Sequence, residues 1–158
     1  MNRHFSPTRS ETLRARIDMT LANEPARELL PADRAGVAAG TAADASEADV
    51  VHAVMTFRIF DPFAVSITFS YADCPAVEWV CARELFRDGL DRPSGTGDVR
   101  VHPSWNDLVI ELYSPQGKAR LKADRAHVAA FVERMYRAVP DGMESDCFSL
   151  DQELELLA

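Results

Sequence analysis

The amino-acid sequence predicts an α+β fold, an antiparallel β-sheet of about six to seven strands with one packed helix and a short C-terminal helix. Most of the chain alternates apolar with polar residues, as half-buried strands do. Proline, glycine and aspartate interrupt these runs at short intervals, which favours hairpins between neighbouring strands. One long segment near the C-terminal end changes to helical spacing. A chain of 158 residues has the size of one domain, which we expect to span 1–158.

The first strand is predicted over residues 12–21, where apolar residues occupy the odd positions and mostly charged residues the even ones. Its charged face is expected to meet water. Residues 1–10 before it are expected to form a flexible N-terminus. Residues 23–49 after it are small, low in complexity and interrupted by proline and glycine, which indicates a mobile loop.

Three further strands are predicted to follow as a meander, at residues 51–59, 63–71 and 77–81. Asp61 and Pro62 predict the turn of a hairpin between the first two of them. Proline fixes its own φ and moves the preceding residue out of the helical region. A break at residues 73–75 separates the second of these strands from the third.

The pattern changes period at residues 82–89, where a helix of one to two turns is expected to stop at Gly89. Residues 93–97 then form a predicted loop. Alternation resumes in three runs, which predict strands at residues 99–103, 108–113 and 118–123. A turn is expected at residues 115–117, between the last two.

Asp124 is placed to cap the main helix, because its carboxylate can accept from the free backbone N–H groups of the first turn. The stripe expected to pack on the sheet comprises Val128, Phe131, Val132, Met135 and Val139. Pro140 and Gly142 are expected to end this helix. Ser149 and Gln152 have the spacing of a capping box, which predicts a short C-terminal helix.

Charge and composition exclude several classes of function. The formal net charge is -8, and residues 140–158 contain six acidic residues and no Lys or Arg. Such a chain has no general electrostatic attraction to phosphate backbones, so nucleic acid is not an expected partner. We find no apolar run long enough to span a membrane and no secretory signal, so a cytoplasmic protein is expected. Its three cysteines are then expected to be reduced thiols.

Motifs for catalysis or cofactor binding are not apparent in the sequence. Gly95 and Gly97 precede a strand and have no nearby lysine, so they indicate a structural turn and not a phosphate cradle. The histidines and cysteines lack the paired spacing of metal sites. No Gly-x-Ser-x-Gly elbow is present. We therefore expect no enzyme activity, no metal and no cofactor.

A basic cluster raises one alternative. Lys118, Arg120 and Lys122 share a face of the last predicted strand, and Arg125 follows just beyond it. With Tyr113 this face could hold a nucleic-acid strand, so a single-stranded nucleic-acid binder is the alternative function. A solvated outer face, or a counter-surface for the acidic tail, is the favoured interpretation because the net charge has the wrong sign for phosphate binding.

The order of several short motifs resembles the SsgA-like family of sporulation and cell-division proteins from spore-forming actinobacteria. The motifs are Asp61-Pro62-Phe63-Ala64-Val65, Val77-Glu78-Trp79-Val80, Ala82-Arg83-Glu84-Leu85, Gly89-Leu90, Pro93-Ser94-Gly95-Thr96-Gly97-Asp98-Val99-Arg100-Val101, Ser114-Pro115-Gln116-Gly117 and Phe148-Ser149-Leu150-Asp151. Cys81 and His102 depart from this pattern at positions where the family is expected to have aromatic residues.

The resemblance implies a regulator or scaffold of sporulation-specific cell division, located at the septum. It implies partners in the division or cell-wall-synthesis machinery, such as the tubulin-like protein FtsZ or a septal membrane protein. It also implies a homotrimer with a topology similar to the whirly single-stranded nucleic-acid binders. The family residues expected to act structurally, through core packing and an unusual turn, are Asp61, Pro62, Trp79, Arg83, Gly89, Pro93, Gly95, Gly97 and Asp98.

Overall fold

A computed structural model describes residues 12–22 and 50–147 of the chain. The predicted N-terminal segment 1–10, the predicted loop 23–49 and the C-terminal helix predicted from Ser149 lie outside the described residues. The elements are β1 (Thr12–Leu21), β2 (Val50–Arg58), β3 (Asp61–Ser70), β4 (Val77–Ala82), α1 (Arg83–Gly89), β5 (Val99–Ser104), β6 (Asp107–Ser114), β7 (Gly117–Asp124), α2 (Arg125–Ala138) and α3 (Glu144–Cys147).

The seven strands form one antiparallel sheet in the order β4-β3-β2-β1-β7-β6-β5, which confirms the predicted fold class and strand number. The first strand therefore lies at the centre, between two meanders. It pairs with β2 along nearly its whole length, from Thr12 opposite Arg58 to Thr20 opposite Val50. Its pairing with β7 is limited to three residues, Met19 to Leu21. The two meanders are thus joined through a short ladder, and strands β4 and β5 form the two edges.

The hairpin between β2 and β3 differs from the prediction. The turn consists of Ile59 and Phe60, since Arg58 already pairs with Asp61. The register then shifts, because Phe57 pairs with Val65. Pro62 lies in the irregular segment between these two pairs and is buried there. Proline cannot donate to a ladder, so it is tolerated where the pairing is interrupted. The Asp-Pro pair therefore marks a bulge that follows the turn.

The core lies between one face of the sheet, here called the inner face, and the helices. Helix α2 follows β7 directly and packs on β1, β6 and β7. Its predicted stripe is confirmed, since Val128, Phe131, Val132, Met135 and Val139 are all buried. The predicted cap is also present, because the backbone N–H of His127 donates to the Asp124 carboxylate at 2.8 Å. Helix α1 contacts β5, β3 and β4, so the sheet curls its two edges toward each other around it.

The helices of residues 12–22 and 50–147 are too short and too polar to cross a lipid bilayer.

The residues on the side of the sheet opposite the helices form the outer face. On β7 these are the exposed residues of the alternating pattern, starting at Lys118, whereas Ala119, Leu121 and Ala123 point inward and are buried. The prediction that alternation separates core from solvent is confirmed on this strand.

Candidate interaction surfaces

The outer face of β5, β6 and β7 carries a cluster of cations, here called the basic face. It comprises Arg100, His102, Lys118, Arg120 and Lys122. Lys118, Arg120 and Lys122 lie on β7, as the alternation predicts, and all three are exposed. The structure adds Arg100 and His102 from β5, which are two strands away and 16 or more residues earlier in the chain. Sequence reasoning missed these two because only the strand order brings them to the same face.

Glu111 lies in the middle of the basic face and organises it. Arg120 donates to its Oε1 from Nε at 2.9 Å and from Nη2 at 2.6 Å, and the Tyr113 hydroxyl donates to its Oε2 at 3.1 Å. Although burial acts to raise the pKa of Glu111, these hydrogen bonds hold it below the usual value. The Arg100 guanidinium stacks over the Tyr113 ring at 4.7 Å. One carboxylate thus neutralises part of this surface, and the remaining charge is positive.

Arg125 does not join the basic face. Its guanidinium donates to the carbonyl of Leu90 at 2.6 Å and lies 3.7 Å from Asp91. As the first residue of α2, Arg125 follows β7 on the helical side of the sheet, and its backbone N–H donates to the carbonyl of Asn106. It therefore ties the loop after α1 to the start of α2.

Arg83 is the one large charged side chain buried in the described part of the chain, with 1% of its surface exposed. Its Nη1 donates to the carbonyl of Val139 at 2.8 Å, and its Nη2 forms an ion pair with Glu144. The guanidinium also stacks over Tyr136 at 4.3 Å from the ring centroid. One side chain at the start of α1 thereby holds the end of α2 and the short helix α3.

The carboxyl of Glu144 has a lowered pKa, through a hydrogen bond from its own backbone N–H and through the charge of Arg83. The hydroxyl of Tyr136 is buried, and it is the one such side-chain atom without a hydrogen-bond partner among the described residues. Desolvation raises the pKa of Tyr136. The Arg83 side chain is closed to solvent and joins three elements, as the predicted structural role requires.

Two of the family glycines occupy places where a side chain does not fit. A Cβ at Gly89 would lie 2.5 Å from Cγ1 of Val101, so α1 approaches β5 too closely for any other residue. Gly95 has a φ of +95°, and its Cβ would lie 2.4 Å from the carbonyl oxygen of Val99. At Gly97 an added Cβ would meet nothing within 4 Å. Nothing in the structure explains a glycine there.

The other residues of the family motifs lie on β3, on β4 and in the loop between α1 and β5. Asp61 opens β3, and Trp79 is half-buried on β4 opposite Ile67. Pro93 is exposed in the loop after α1. The carbonyl of Asp98 accepts the backbone N–H of Tyr113 at 2.7 Å and so fixes the start of β5 against the end of β6. These positions are spread along the chain from the start of β3 to the residue before β5.

Metal-ligating side chains and thiols are the remaining reactive groups in residues 12–22 and 50–147. No group of three metal-ligating side chains is found in these ranges. Burial raises the pKa of the Cys81 thiol to about 12, so it is protonated at neutral pH. Its Sγ lies 3.7 Å from the carbonyl oxygen of Val65. Cys81 is thus a small apolar residue packed against the core.

The two edges of the sheet differ. On β5 the outward backbone groups of Val101 are paired, since Ser94 donates to its carbonyl at 2.8 Å and accepts from its N–H at 2.9 Å. Pro103 on the same strand has no N–H to offer. On β4 the described residues make no such bonds beyond β3, and Val77 and Val80 are 49% and 62% exposed. Within residues 12–22 and 50–147, the edge at β5 is therefore blocked, and the edge at β4 is left open to another strand.

One exposed aromatic residue was missed by the sequence reasoning. Trp105 lies in the turn between β5 and β6 and is 94% exposed, with a φ of +50°. The sequence signal was available in the run Ser104-Trp105-Asn106-Asp107, where a large apolar residue lies among typical turn residues.

Comparison with known proteins identifies the family. A family model described as Streptomyces sporulation and cell division protein, SsgA, matches residues 51–144. The chain belongs to the SsgA family. This match confirms the family that the order of the sequence motifs predicts. Strand β1 precedes the matched range, yet it pairs with β2 and β7 and so belongs to the same sheet.

Members of the SsgA family with curated names are similar over most of their length. The chain is 43% identical over 111 residues to the sporulation-specific cell division protein SsgB of Frankia casuarinae, covering 68% of this chain and 78% of that protein. It is 45% identical over 108 residues to SsgB of Streptomyces coelicolor, covering 66% and 79%.

Solved SsgA-like structures have the same fold. An SsgA-like sporulation-specific cell division protein from Thermobifida fusca matches with a TM-score of 0.71 at 30% identity, covering 96% of this chain and 98% of that one. A structure from a study of SsgB mutations that correlate to longitudinal cell division during sporulation of Streptomyces coelicolor matches with a TM-score of 0.68 at 31% identity, covering 90% and 100%.

Proposed function

We propose that this protein is a non-catalytic scaffold or regulator of sporulation-specific cell division that acts in the cytoplasm at the division septum. The observation that carries the proposal is its similarity to relatives named sporulation-specific cell division proteins, at 43% and 45% identity over two thirds of the chain. The described surfaces agree with binding and not with chemistry. They offer the open edge of β4, the basic face and the exposed Trp105. The Cys81 thiol, whose pKa is raised to about 12, is protonated and therefore unreactive at neutral pH.

The proposal includes a homo-oligomer, a trimer by family resemblance with a whirly-like arrangement, in which the β4 edge pairs with a second copy. Support comes from the contrast between the open edge at Val77 and Val80 and the blocked edge at Pro103. Lysine protects an edge strand because it cannot be buried against another sheet. We therefore expect the double variant Val77→Lys, Val80→Lys to be monomeric in sedimentation analysis. The control Ser104→Lys on the blocked edge is expected to keep the parent mass.

The test of the function itself is a deletion strain of the source organism, complemented with wild-type or variant protein. Loss of the protein is expected to misplace or abolish sporulation septa, and the wild-type copy is expected to restore them. Normal septation and normal spore walls in the deletion strain would refute the proposal. The partners we propose are division or wall-synthesis proteins, with FtsZ or a septal membrane protein as specific candidates from the family resemblance.

A single-stranded nucleic-acid binder is the second candidate, and one observation favours it. Arg100, Lys118 and Lys122 leave positive charge on an exposed face beside the aromatic ring of Tyr113. If this candidate is right, oligonucleotide affinity must fall by about tenfold or more over a modest rise in salt. It must also weaken in the variant Lys118→Glu, Lys122→Glu. A flat titration up to high protein concentration would remove this candidate and leave the division proposal intact.

A further inference from the structure

Residues 140–147, here called the acidic segment, follow α2 and include α3. They contain Asp141, Glu144 and Asp146 and no lysine or arginine. None of these residues is buried as a whole, and Cys147 is the member that packs against the hydrophobic core. Outside α3, the backbone hydrogen bonds that the segment makes within the described structure join its own members to one another. Side-chain contacts therefore hold the segment on the fold.

These contacts are ionic and converge on one site, here called the arginine site, which comprises Arg83, Arg87 and Tyr136. Arg83 forms an ion pair with Glu144, and its Nη2 lies 3.9 Å from Oδ1 of Asp141. Nη1 of Arg87 donates to Oδ2 of Asp141 at 2.9 Å. Both guanidinium groups stack on the Tyr136 ring, at 4.3 and 5.4 Å from its centroid. Two cations on one aromatic ring thus bind two carboxylates that are three residues apart in the chain.

The acidic segment does not satisfy the arginine site completely. The Tyr136 hydroxyl is buried and has no hydrogen-bond partner in residues 12–22 and 50–147. A buried donor left unpaired costs free energy, which an additional acceptor would recover. The site is also partly open to water, because the side chain of Arg87 is 37% exposed and that of Asp141 is 63% exposed. An unused donor and an exposed side are features that a closed structural contact does not require.

The other carboxylates near the arginine site leave its charged donors available. Asp88 accepts from Nε of Arg87 at 2.9 Å and from Nη2 of Arg92 at 3.2 Å, so it does not occupy Nη1 of Arg87. Glu84 lies in the first turn of α1 and is exposed. Because these two carboxylates offset part of the positive charge, the site has no strong field that reaches far into solvent. It binds the carboxylates of the acidic segment through direct, charge-assisted hydrogen bonds.

We propose that the arginine site is a receptor for an acidic segment of a partner protein, and that residues 140–147 occupy it in cis as the competing ligand. The partner would place one carboxylate on Arg83, a second on Arg87 and a further acceptor on the Tyr136 hydroxyl. The core can remain folded during the exchange, since no residue of the acidic segment is buried as a whole. The inference rests on the proposed function, because it assigns a surface and a chemistry to the partner of a scaffold.

The present occupant selects the chemistry of its replacement. Arg83 is buried, and a buried guanidinium that loses its counter-charge is strongly unfavourable, so the acidic segment is displaced only when another anion takes its place. A basic or a purely apolar segment does not meet this requirement. The acidic segment of a second copy supplies only the two carboxylates already present. A partner segment with an acceptor for Tyr136 gains one hydrogen bond.

The first test measures displacement at Cys147, the end of the acidic segment. Iodoacetamide labelling followed by peptide mass spectrometry distinguishes this thiol from Cys74 and Cys81 in the wild-type chain. The probe is the synthetic peptide Asp-Gly-Met-Glu-Ser-Asp, and the control peptide is its amide counterpart Asn-Gly-Met-Gln-Ser-Asn. The acidic peptide is expected to increase the rate of Cys147 labelling in a saturable manner, because labelling follows the population of the open state. The amide peptide is expected to leave the rate unchanged.

The second test measures binding of the labelled acidic peptide by fluorescence anisotropy. The double variant Asp141→Asn, Glu144→Gln removes both charges of the competing ligand and is expected to bind the peptide at least about tenfold more tightly than wild type. The expected difference arises because a tethered ligand competes at an effective concentration in the mM range. Glu133→Gln, which removes an exposed carboxylate paired with Arg137, is the matched control and is expected to bind as wild type does.

A third variant pair locates the binding site. In the double-variant background, Arg87→Met is expected to weaken peptide binding by about threefold or more. Arg134→Met, which removes an exposed arginine of α2 outside the arginine site, is expected to leave it unchanged. Arg87 is the position of choice because its exposed side chain can be replaced without opening the core, whereas Arg83 is buried.

Each other outcome overturns the inference. Equal affinity of wild type and the double variant would show that residues 140–147 do not compete, and no binding to the double variant would remove the receptor. Equal effects of Arg87→Met and Arg134→Met would assign the peptide to arginines at large. Displacement of the peptide by a single-stranded oligonucleotide would assign the site to phosphate, and Cys147 labelling that changes with protein concentration alone would assign it to a second copy. The septation phenotype of the deletion strain is independent of these results, so the proposed function can stand when this inference fails.

Discussion

Replacing Arg83 with methionine tests the account of how the helices are held together. Methionine keeps most of the side-chain volume of Arg83 and removes the guanidinium. The variant leaves the buried carbonyl of Val139 without its 2.8 Å donor, which costs about 1–3 kcal/mol. It also removes the stacking on Tyr136, which contributes about 1–2 kcal/mol in a desolvated setting. We therefore expect the free energy of unfolding to fall by about 2–4 kcal/mol.

The matched control is Arg87→Met on the same helix. Arg87 also lies over Tyr136, at 5.4 Å, and pairs with Asp141 at 2.9 Å, but its side chain is 37% exposed. A solvated pair of this kind contributes about 0–1 kcal/mol. Urea unfolding followed by circular dichroism gives both values from the midpoint and slope. A loss below about 0.5 kcal/mol in Arg83→Met, or equal losses in the two variants, would refute the reasoning because burial would then not distinguish the two arginines.

Three further predictions concern single positions. Gly89→Ala is expected to destabilise the fold by about 1–3 kcal/mol, because the added Cβ clashes with Val101. Gly97→Ala, where the added Cβ meets nothing, is expected to change the free energy of unfolding by less than about 0.5 kcal/mol. Similar urea midpoints for the two variants would contradict this prediction. Asp124→Ala removes the cap of α2 and is expected to cost about 1 kcal/mol in the same assay, so an unchanged midpoint would be the wrong result. The pKa of Glu111 is lowered in the folded state, so the unfolded chain binds more protons in acid. Glu111 therefore stabilises the fold above its unfolded pKa, near the usual value of 4.5, and this contribution is lost as the pH falls through the folded pKa. Glu111→Gln is therefore expected to flatten the dependence of stability on pH in the acid range, and a parallel curve would contradict the assignment.

Local pattern was sufficient to predict the strands and the main helix. Side chains alternate along a strand, so β7 could be divided into inward alanines and leucine and outward Lys118, Arg120 and Lys122 from the sequence alone. The cap at Asp124 was predictable for the same reason, because the cap and its N–H donor are three residues apart. The family followed from the order and spacing of short motifs, and the comparisons confirm it.

Features that depend on distant residues could not be predicted in this way. Arg83 has an ordinary place in a polar helical segment, and its burial depends on Val139 and Glu144, which are 56 and 61 residues away. The basic face gains Arg100 and His102 only because β5 lies two strands from β7. The β2–β3 turn was misplaced because a proline signals a break in the ladder without telling a turn from a bulge.

Affinity capture of the tagged protein from sporulating cells of the source organism, with and without nuclease, tests the central claim most directly. Mass spectrometry of the captured material identifies the partners. The account predicts that division or cell-wall-synthesis proteins remain bound after nuclease treatment. If the captured proteins disappear with nuclease, the fold serves nucleic acid and the claim that it is a division scaffold is contradicted.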